Sequence, residues 1–207
     1  MKKTIVASVA AAVLAGCSGM NLGTPGGYAE SGSGWTTVFD GSSLSSFHPI
    51  GNANWRMADG AVVADGGQGF LVTNSEYGDF QIRVEFYAEA DTNSGVFIRC
   101  SRATELDSKV CYEVNIWDAR PAPEYGTGAI VDVVKVTKPY PLAGGRWNTY
   151  DITAKGDHFV VLLNGQRTAE GNDRQHAHGP IGLQYFPGND KAHGSVLKIR
   201  KVQIRSL

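Results

Sequence analysis

Charge of one sign is not in excess in this chain: 19 Lys and Arg stand against 20 Asp and Glu. No run of like charge occurs either. The electrostatic reason to expect nucleic acid, or a disordered charged tail, is therefore missing. Amphipathic helix patterning is also missing, since no segment carries a convincing 3.6-residue apolar period. An apolar run of bilayer-spanning length is absent: residues 5–14 are largely apolar, but that stretch is too short to cross a membrane. Cysteine is scarce, at three residues.

Glycine, by contrast, is plentiful. Its 26 residues are about twice the usual ~7 % and favour a turn-rich all-β fold. A hydrophobic share of 42 % in 207 residues suits one substantial domain.

The N-terminus reads as a targeting segment. Lys2 and Lys3 precede the short apolar run, the pattern of a signal-peptide core. The run leads into V-L-A-G-C at 13–17, which resembles the bacterial lipobox and makes Cys17 the lipidated first residue of a mature lipoprotein. The alternative is an ordinary secretory signal with Cys17 left free. On the lipoprotein reading, residues 1–16 are the signal peptide. Residues 17–34, rich in Gly and Ser, are a flexible tether, and 35–207 are the folded domain. Ser18 after the cysteine favours anchoring to the outer membrane, facing the periplasm of the bacterial cell envelope.

Within the domain, alternation of apolar and polar residues recurs at intervals of about ten residues. Phe80, Ile82, Val84 and Phe86 point one way, and Gln81, Arg83 and Glu85 the other. Two further runs follow, at 93–100 and 111–118. If these three strands are neighbours, one face gathers Arg83, Glu85, Arg99, Glu113 and Asn115 beside Phe97 and Trp117, a floor suited to a sugar. A ladder of solvated cross-strand ion pairs is the plainer account of the same charges.

Asp59-Gly60 and Asn164-Gly165 mark tight hairpins. Residues 119–145 are broken by Pro and Gly, with 129–136 β-branched enough for a strand. Near the C-terminus, Leu197 and Ile199 are out of phase with Val202 and Ile204, which predicts a bulge near Arg200 or Lys201. The whole predicts two packed antiparallel sheets, with a jelly-roll β-sandwich as first choice.

With Cys17 assigned to lipid, Cys100 and Cys111 remain, and an oxidising compartment permits their disulfide. Simple alternation puts them on opposite faces, and a bulge or strand end is needed to bring them together. His176 and His178, with His193 as third, are either metal ligands or parts of an exposed polar loop.

Several motifs together carry a family resemblance. They are W-T-T-V-F-D-G at 35–41, W-R-M-A-D-G at 55–60, N-S-G-V-F-I-R at 93–99, Y-E-V-N-I-W-D at 112–118, W-N-T-Y-D-I at 147–152, Asn164-Gly165 and G-P-I-G-L-Q at 179–184. In this order they resemble the 3-keto-disaccharide hydrolase family, also called domain of unknown function 1080. The resemblance implies a concanavalin A-like, glucanase-like sandwich acting on carbohydrates oxidised at C3. It also leaves room for a divalent cation held by carboxylates, whose ligands no spacing identifies. The chain departs from the family pattern at Val131, at Tyr185-Phe186-Pro187 and at 199–202.

A ketone at C3 makes the C2 hydrogen acidic, so cleavage can proceed by deprotonation, elimination and hydration. That route needs a base, an acid and a charge-stabilising group. Glu85 and Glu113 are the candidate acid–base pair and Arg99 the candidate stabiliser. Asn93, Phe97, Asn115, Trp117, Asp118 and Gln184 are candidates for holding substrate, Asp118 also as a loop anchor. A non-catalytic, lectin-like carbohydrate-binding lipoprotein is the competing expectation.

Overall fold

The computed structural model describes residues 34–188 and 195–207. Cys17, the leader, the tether up to residue 33 and His193 lie outside the described residues. Thirteen strands follow in order: β1 Thr36–Phe39, β2 Phe47–Gly51, β3 Trp55–Ala58, β4 Ala61–Ala64, β5 Gly69–Tyr77, β6 Phe80–Ala88, β7 Asn93–Ile98, β8 Tyr112–Ile116, β9 Arg146–Lys155, β10 His158–Leu163, β11 Gln166–Asn172, β12 Gly179–Phe186 and β13 Leu197–Ser206. A 3-10 turn at Pro123–Tyr125 is the helical element among the described residues. None of them forms a helix long and apolar enough to cross a membrane.

The strands form two antiparallel sheets. One is eight-stranded, in the order β11-β10-β9-β6-β13-β4-β3 with β1 also pairing β13; the other is five-stranded, in the order β2-β5-β12-β7-β8. The alternating residues of each strand explain the packing. Phe80, Ile82, Val84 and Phe86 of β6 meet Val96 and Ile98 of β7, Tyr112, Val114 and Ile116 of β8, and Ile181, Leu183 and Tyr185 of β12 in one buried cluster. Burying such side chains contributes roughly 1.5–3 kcal/mol each, so the in-facing residues fix which way each strand lies. The jelly-roll sandwich expected from the pattern is the fold.

Turn chemistry also matches. Asp59 and Gly60 have φ of 51° and 71°, and Asn164 and Gly165 have 52° and 80°. These are the paired left-handed residues of a tight primed hairpin turn. The phase slip in β13 is present as a register shift against β6 between Ile199 and Lys201.

Residues 129–136 do not form a strand. Ile130 makes isolated bridges to Val114 and Val134, and Asp132 sits at φ 60°, which ends any extended run. The segment instead covers the free edge of β8: Val131 N–H donates to Glu113 O at 2.9 Å, and Asn115 N–H donates to Ala129 O at 3.0 Å.

Cys100 and Cys111 are joined by a disulfide. Alternation misplaced Cys100 because Arg99, just past the end of β7, has φ 51°. That left-handed residue turns the chain and carries Cys100 to the side where Phe97, Leu106 and Cys111 cluster. Replacing both cysteines by serine is expected to cost about 3 kcal/mol, the chain-entropy value for a loop of this length. A reductant-sensitive melting temperature in the wild type, absent in the double variant, checks this.

Candidate functional site

The charged face expected from the sequence is split between the two sheets. β6 pairs with β9 and β13, whereas β7 and β8 pair with each other in the opposite sheet. Arg83 and Glu85 therefore project from the outer face of the eight-stranded sheet, and Glu113 and Asn115 from the outer face of the five-stranded one. The sandwich core lies between them. Glu85 and Glu113 cannot act on one substrate from these positions, which corrects the expected acid–base pair.

Glu85 and Arg83 have surface partners instead. Arg200 Nε donates to Glu85 at 2.7 Å, and Arg83 Nε donates to Asp151 at 2.7 Å. Asp151 stands directly opposite Arg83 in the β6–β9 register. The plainer reading of solvated cross-strand pairs holds for these two residues.

Arg99 also leaves the expected group. Its side chain is 1 % exposed, and all three donor nitrogens are engaged. Nε donates to Gly78 O at 2.8 Å, one terminal nitrogen to Gly156 O at 2.7 Å, and the other to Asp79 Oδ1 at 2.9 Å. It ties the β5–β6 and β9–β10 turns to the end of β7, and its place is structural.

Glu113 remains, on a face built by cross-strand register. Gly182, Phe97 and Glu113 lie side by side across β12, β7 and β8; Gln184, Gly95 and Asn115 form the next row. Strands about 4.8 Å apart put Gln184 and Asn115 roughly 10 Å from each other across the bare backbone of Gly95. A Cβ at Gly95 would lie 3.2 Å from Glu113 Cγ and from Phe97 Cε2. The missing side chain lets Glu113 and Phe97 pack close against the Gly95 backbone, and this narrow spot is the notch beside the carboxyl group.

Polar atoms in this notch lack protein partners. Asn115 Oδ1 and Gln184 Oε1 are buried and accept no hydrogen bond, while the Asn115 amide nitrogen donates to Tyr125 O at 2.7 Å. Buried polar atoms are nearly always satisfied, so such a pair marks a place for ligand or water.

The other expected binding residues have different places. Phe97 is 1 % exposed and packs edge-on against Phe70 with ring centroids 5.1 Å apart, in the cluster that includes Leu106 of the disulfide loop. Its ring is not presented for stacking. Trp117 is half-buried, with the Arg120 guanidinium 5.7 Å over its ring. Asn93 opens β7 opposite Phe186. Asp118 anchors the loop: it accepts from the Thr127 hydroxyl at 2.6 Å, from Ala143 N–H at 3.0 Å and from Gly144 N–H at 2.8 Å.

Burial pushes the Glu113 carboxyl up to about 7, with the Arg120 charge opposing the rise and the Asp132 charge adding to it. Neither Arg120 nor Asp132 stood out in the sequence. Both lie in the irregular segment after β8, where no periodicity assigns a side chain to a face. Gly95 carries no signal of its own beyond its place in N-S-G-V-F-I-R.

A pH prediction follows from the raised carboxyl. The folded protein holds the Glu113 proton more tightly than the unfolded chain, whose carboxyl titrates near the ordinary value of 4.5. Stability is therefore full below about 4.5, falls as pH rises, and has lost about 3 kcal/mol once pH passes about 7. Denaturant unfolding at pH 5 and pH 8 should show this fall in the wild type and its loss in Glu113→Gln.

The described residues do not fit a resident cation. Among them no three His, Cys, Asp or Glu side chains come together as a metal-holding group. His176 is buried, with its backbone N–H donating to the Tyr112 hydroxyl at 3.0 Å. His178 is exposed, with Nδ1 3.4 Å from the Glu76 carboxylate.

Comparison with known proteins agrees with the architecture. The profile of the 3-keto-alpha-glucoside-1,2-lyase-like domain matches residues 34–205. No curated protein matches at a significant level. Two crystal structures from Parabacteroides distasonis ATCC 8503, both classed as glycosyl hydrolases, superpose on this chain. One has TM-score 0.71 and 18 % identity, covering 84 % of this chain and 94 % of the other. The second has TM-score 0.67 and 25 % identity, covering 84 % and 99 %. A prokaryotic beta-1,3-1,4-glucanase from a mouse hindgut metagenome shares the fold at TM-score 0.57 and 13 % identity, covering 84 % and 100 %.

Proposed function

Because this chain belongs to the 3-keto-alpha-glucoside-1,2-lyase-like family, we propose that it is a carbohydrate-active enzyme that cleaves 3-keto-glycosides at the notch beside Glu113. The observation that carries the reading is the buried Glu113 carboxyl set among the unpartnered amide oxygens of Asn115 and Gln184.

The chemistry uses one carboxyl group well. As carboxylate, Glu113 takes the proton from C2, which the neighbouring C3 ketone has acidified, and the C2–H electron pair passes into an enolate on the C3 oxygen. Collapse of the enolate expels the C1 oxygen with its bonding pair, leaving a C1=C2 double bond conjugated to the ketone. The departing oxygen takes a proton, which the newly formed Glu113 carboxylic acid can supply. Water then adds at C1 and a proton at C2, so the net change is hydrolysis.

A carboxyl group near 7 is matched to both halves of this exchange at neutral pH. Arg120, whose charge already acts on Glu113, is the cation nearest to this role for the enolate. Asn115 and Gln184 accept hydrogen bonds from ring hydroxyls.

Incubation of the purified protein with 3-keto-glucosides, 3-keto-trehalose and 3-keto-lactose tests the reading. Release of the leaving alcohol or sugar is the expected result. Saturable binding with no product would mean a non-catalytic, lectin-like protein, and neither binding nor product would remove the site.

The leader sequence supports a place for this activity: an envelope lipoprotein anchored through Cys17, facing the periplasm, at the outer membrane. Metabolic labelling with a fatty-acid probe should mark the wild type and not Cys17→Ser.

A further inference from the structure

The row of residues through the notch continues beyond it. Asn115, Gly95 and Gln184 are followed in register by Phe70 of β5 and Ile50 of β2. All five lie on the same outer face, and the row changes character along its length. At the β8 end it offers two unpartnered amide oxygens, with the Glu113 carboxyl group in the neighbouring row; at the β2 end it offers hydrocarbon.

That apolar end is a depression of about 310 Å³, lined chiefly by Ile50, Phe70 and Phe186 with the backbone of Gly51 and Gly69. Phe70 and Phe186 meet edge to face, with ring centroids 6.2 Å apart. Its polar edge is formed by Asn52 and the exposed Gln68 side chain. Asn52 Oδ1 accepts from Gln68 N–H at 3.1 Å, and Gly51 and Gly69 face each other in the β2–β5 ladder. A sugar ring laid on the Ile50, Phe70 and Phe186 side chains would bury hydroxyls against hydrocarbon, which is unfavourable. An alkyl or aryl group would bury apolar surface against apolar surface, which is favourable.

Spacing links this depression to the notch. Phe70 lies three strands from Asn115, roughly 14 Å along the row, with Gln184 and Gly95 between them. A 3-keto-sugar seated over Gly95 with its C2 toward Glu113 has room in the register to extend its C1 substituent along the row toward Phe70.

From this geometry we infer that the Ile50–Phe70–Phe186 depression holds the leaving group, so that the preferred substrates are 3-keto-glycosides with an apolar aglycone rather than 3-keto-disaccharides. The inference rests on the proposed cleavage at Glu113 and adds the substrate class.

Methyl and hexyl 3-keto-glucosides separate the two levels, since their leaving alcohols have similar acidity and differ in apolar length. The wild type should turn over the hexyl glycoside with a kcat/KM about ten- to a hundredfold higher. Phe186→Ser and, independently, Ile50→Ser should cut that ratio to about one-tenth or less while leaving methyl glycoside turnover within about twofold. Ile50 lies on an edge strand and serves as the second variant if Phe186→Ser folds poorly. Turnover of both substrates with a ratio near one, or a ratio that neither variant changes, overturns the aglycone site and leaves cleavage standing. Failure to turn over either glycoside overturns the cleavage reading, and the aglycone site with it.

Discussion

Glu113→Gln is expected to lower turnover of a 3-keto-glucoside by about 10²- to 10⁴-fold, the usual contribution of a positioned proton-transfer group. The amide has nearly the shape of the carboxyl group and cannot take the C2 proton. Binding should survive, because the acceptors of Asn115 and Gln184 are untouched. The loss therefore belongs in kcat more than in KM.

Stability should move the other way. At pH 8 the wild type holds a buried carboxylate that Gln does not, so the variant should unfold at higher denaturant, by up to about 3 kcal/mol. A protein that is less active and more stable is not explained by damage to the fold. Glu85→Gln is the control: its carboxylate is bound to Arg200 on the other outer face, and its kinetics should match the wild type. Normal turnover by Glu113→Gln would remove Glu113 from the chemistry.

The contrast between these two glutamates shows what could be read from the residues. Period-two alternation placed Phe80, Ile82, Val84 and Phe86 inward and Glu85 outward, and the structure agrees. Alternation does not say which sheet a strand joins, and a sandwich has two solvated outer faces that look alike in sequence. β6 pairs with β13, far along the chain, and that choice is made by packing across the whole core. The left-handed turn at Arg99 was hidden for a related reason: φ is positive there in a residue that rarely adopts it, so the disulfide stayed open. Turns made by Asp-Gly and Asn-Gly were legible because their chemistry is local. The notch was only half legible, since Glu113, Asn115 and Gln184 stood in motifs while Arg120 and Asp132 reach the carboxyl group from an irregular loop.

Arg99→Met should leave the chemistry of the notch intact and destabilise the fold by about 3 kcal/mol or somewhat more, in the range for breaking a buried charged network. The wild-type guanidinium satisfies two carbonyls, those of Gly78 and Gly156, and one oxygen of Asp79. Met fills much of the volume and supplies no donor, so both carbonyls lose a charge-assisted partner. The cost lies toward the lower end because the Asp79 side chain is 42 % exposed and keeps its bond from Gly156 N–H at 2.8 Å. Water can take up the rest of its charge. For a chain of this size the change is roughly 10 °C in melting temperature. If Arg99 instead stabilised an enolate, Arg99→Met would melt like the wild type and lose most of its kcat. The two outcomes are opposite in both measurements, so a melting curve and a turnover assay below the variant's melting point decide between a structural clamp and a catalytic cation.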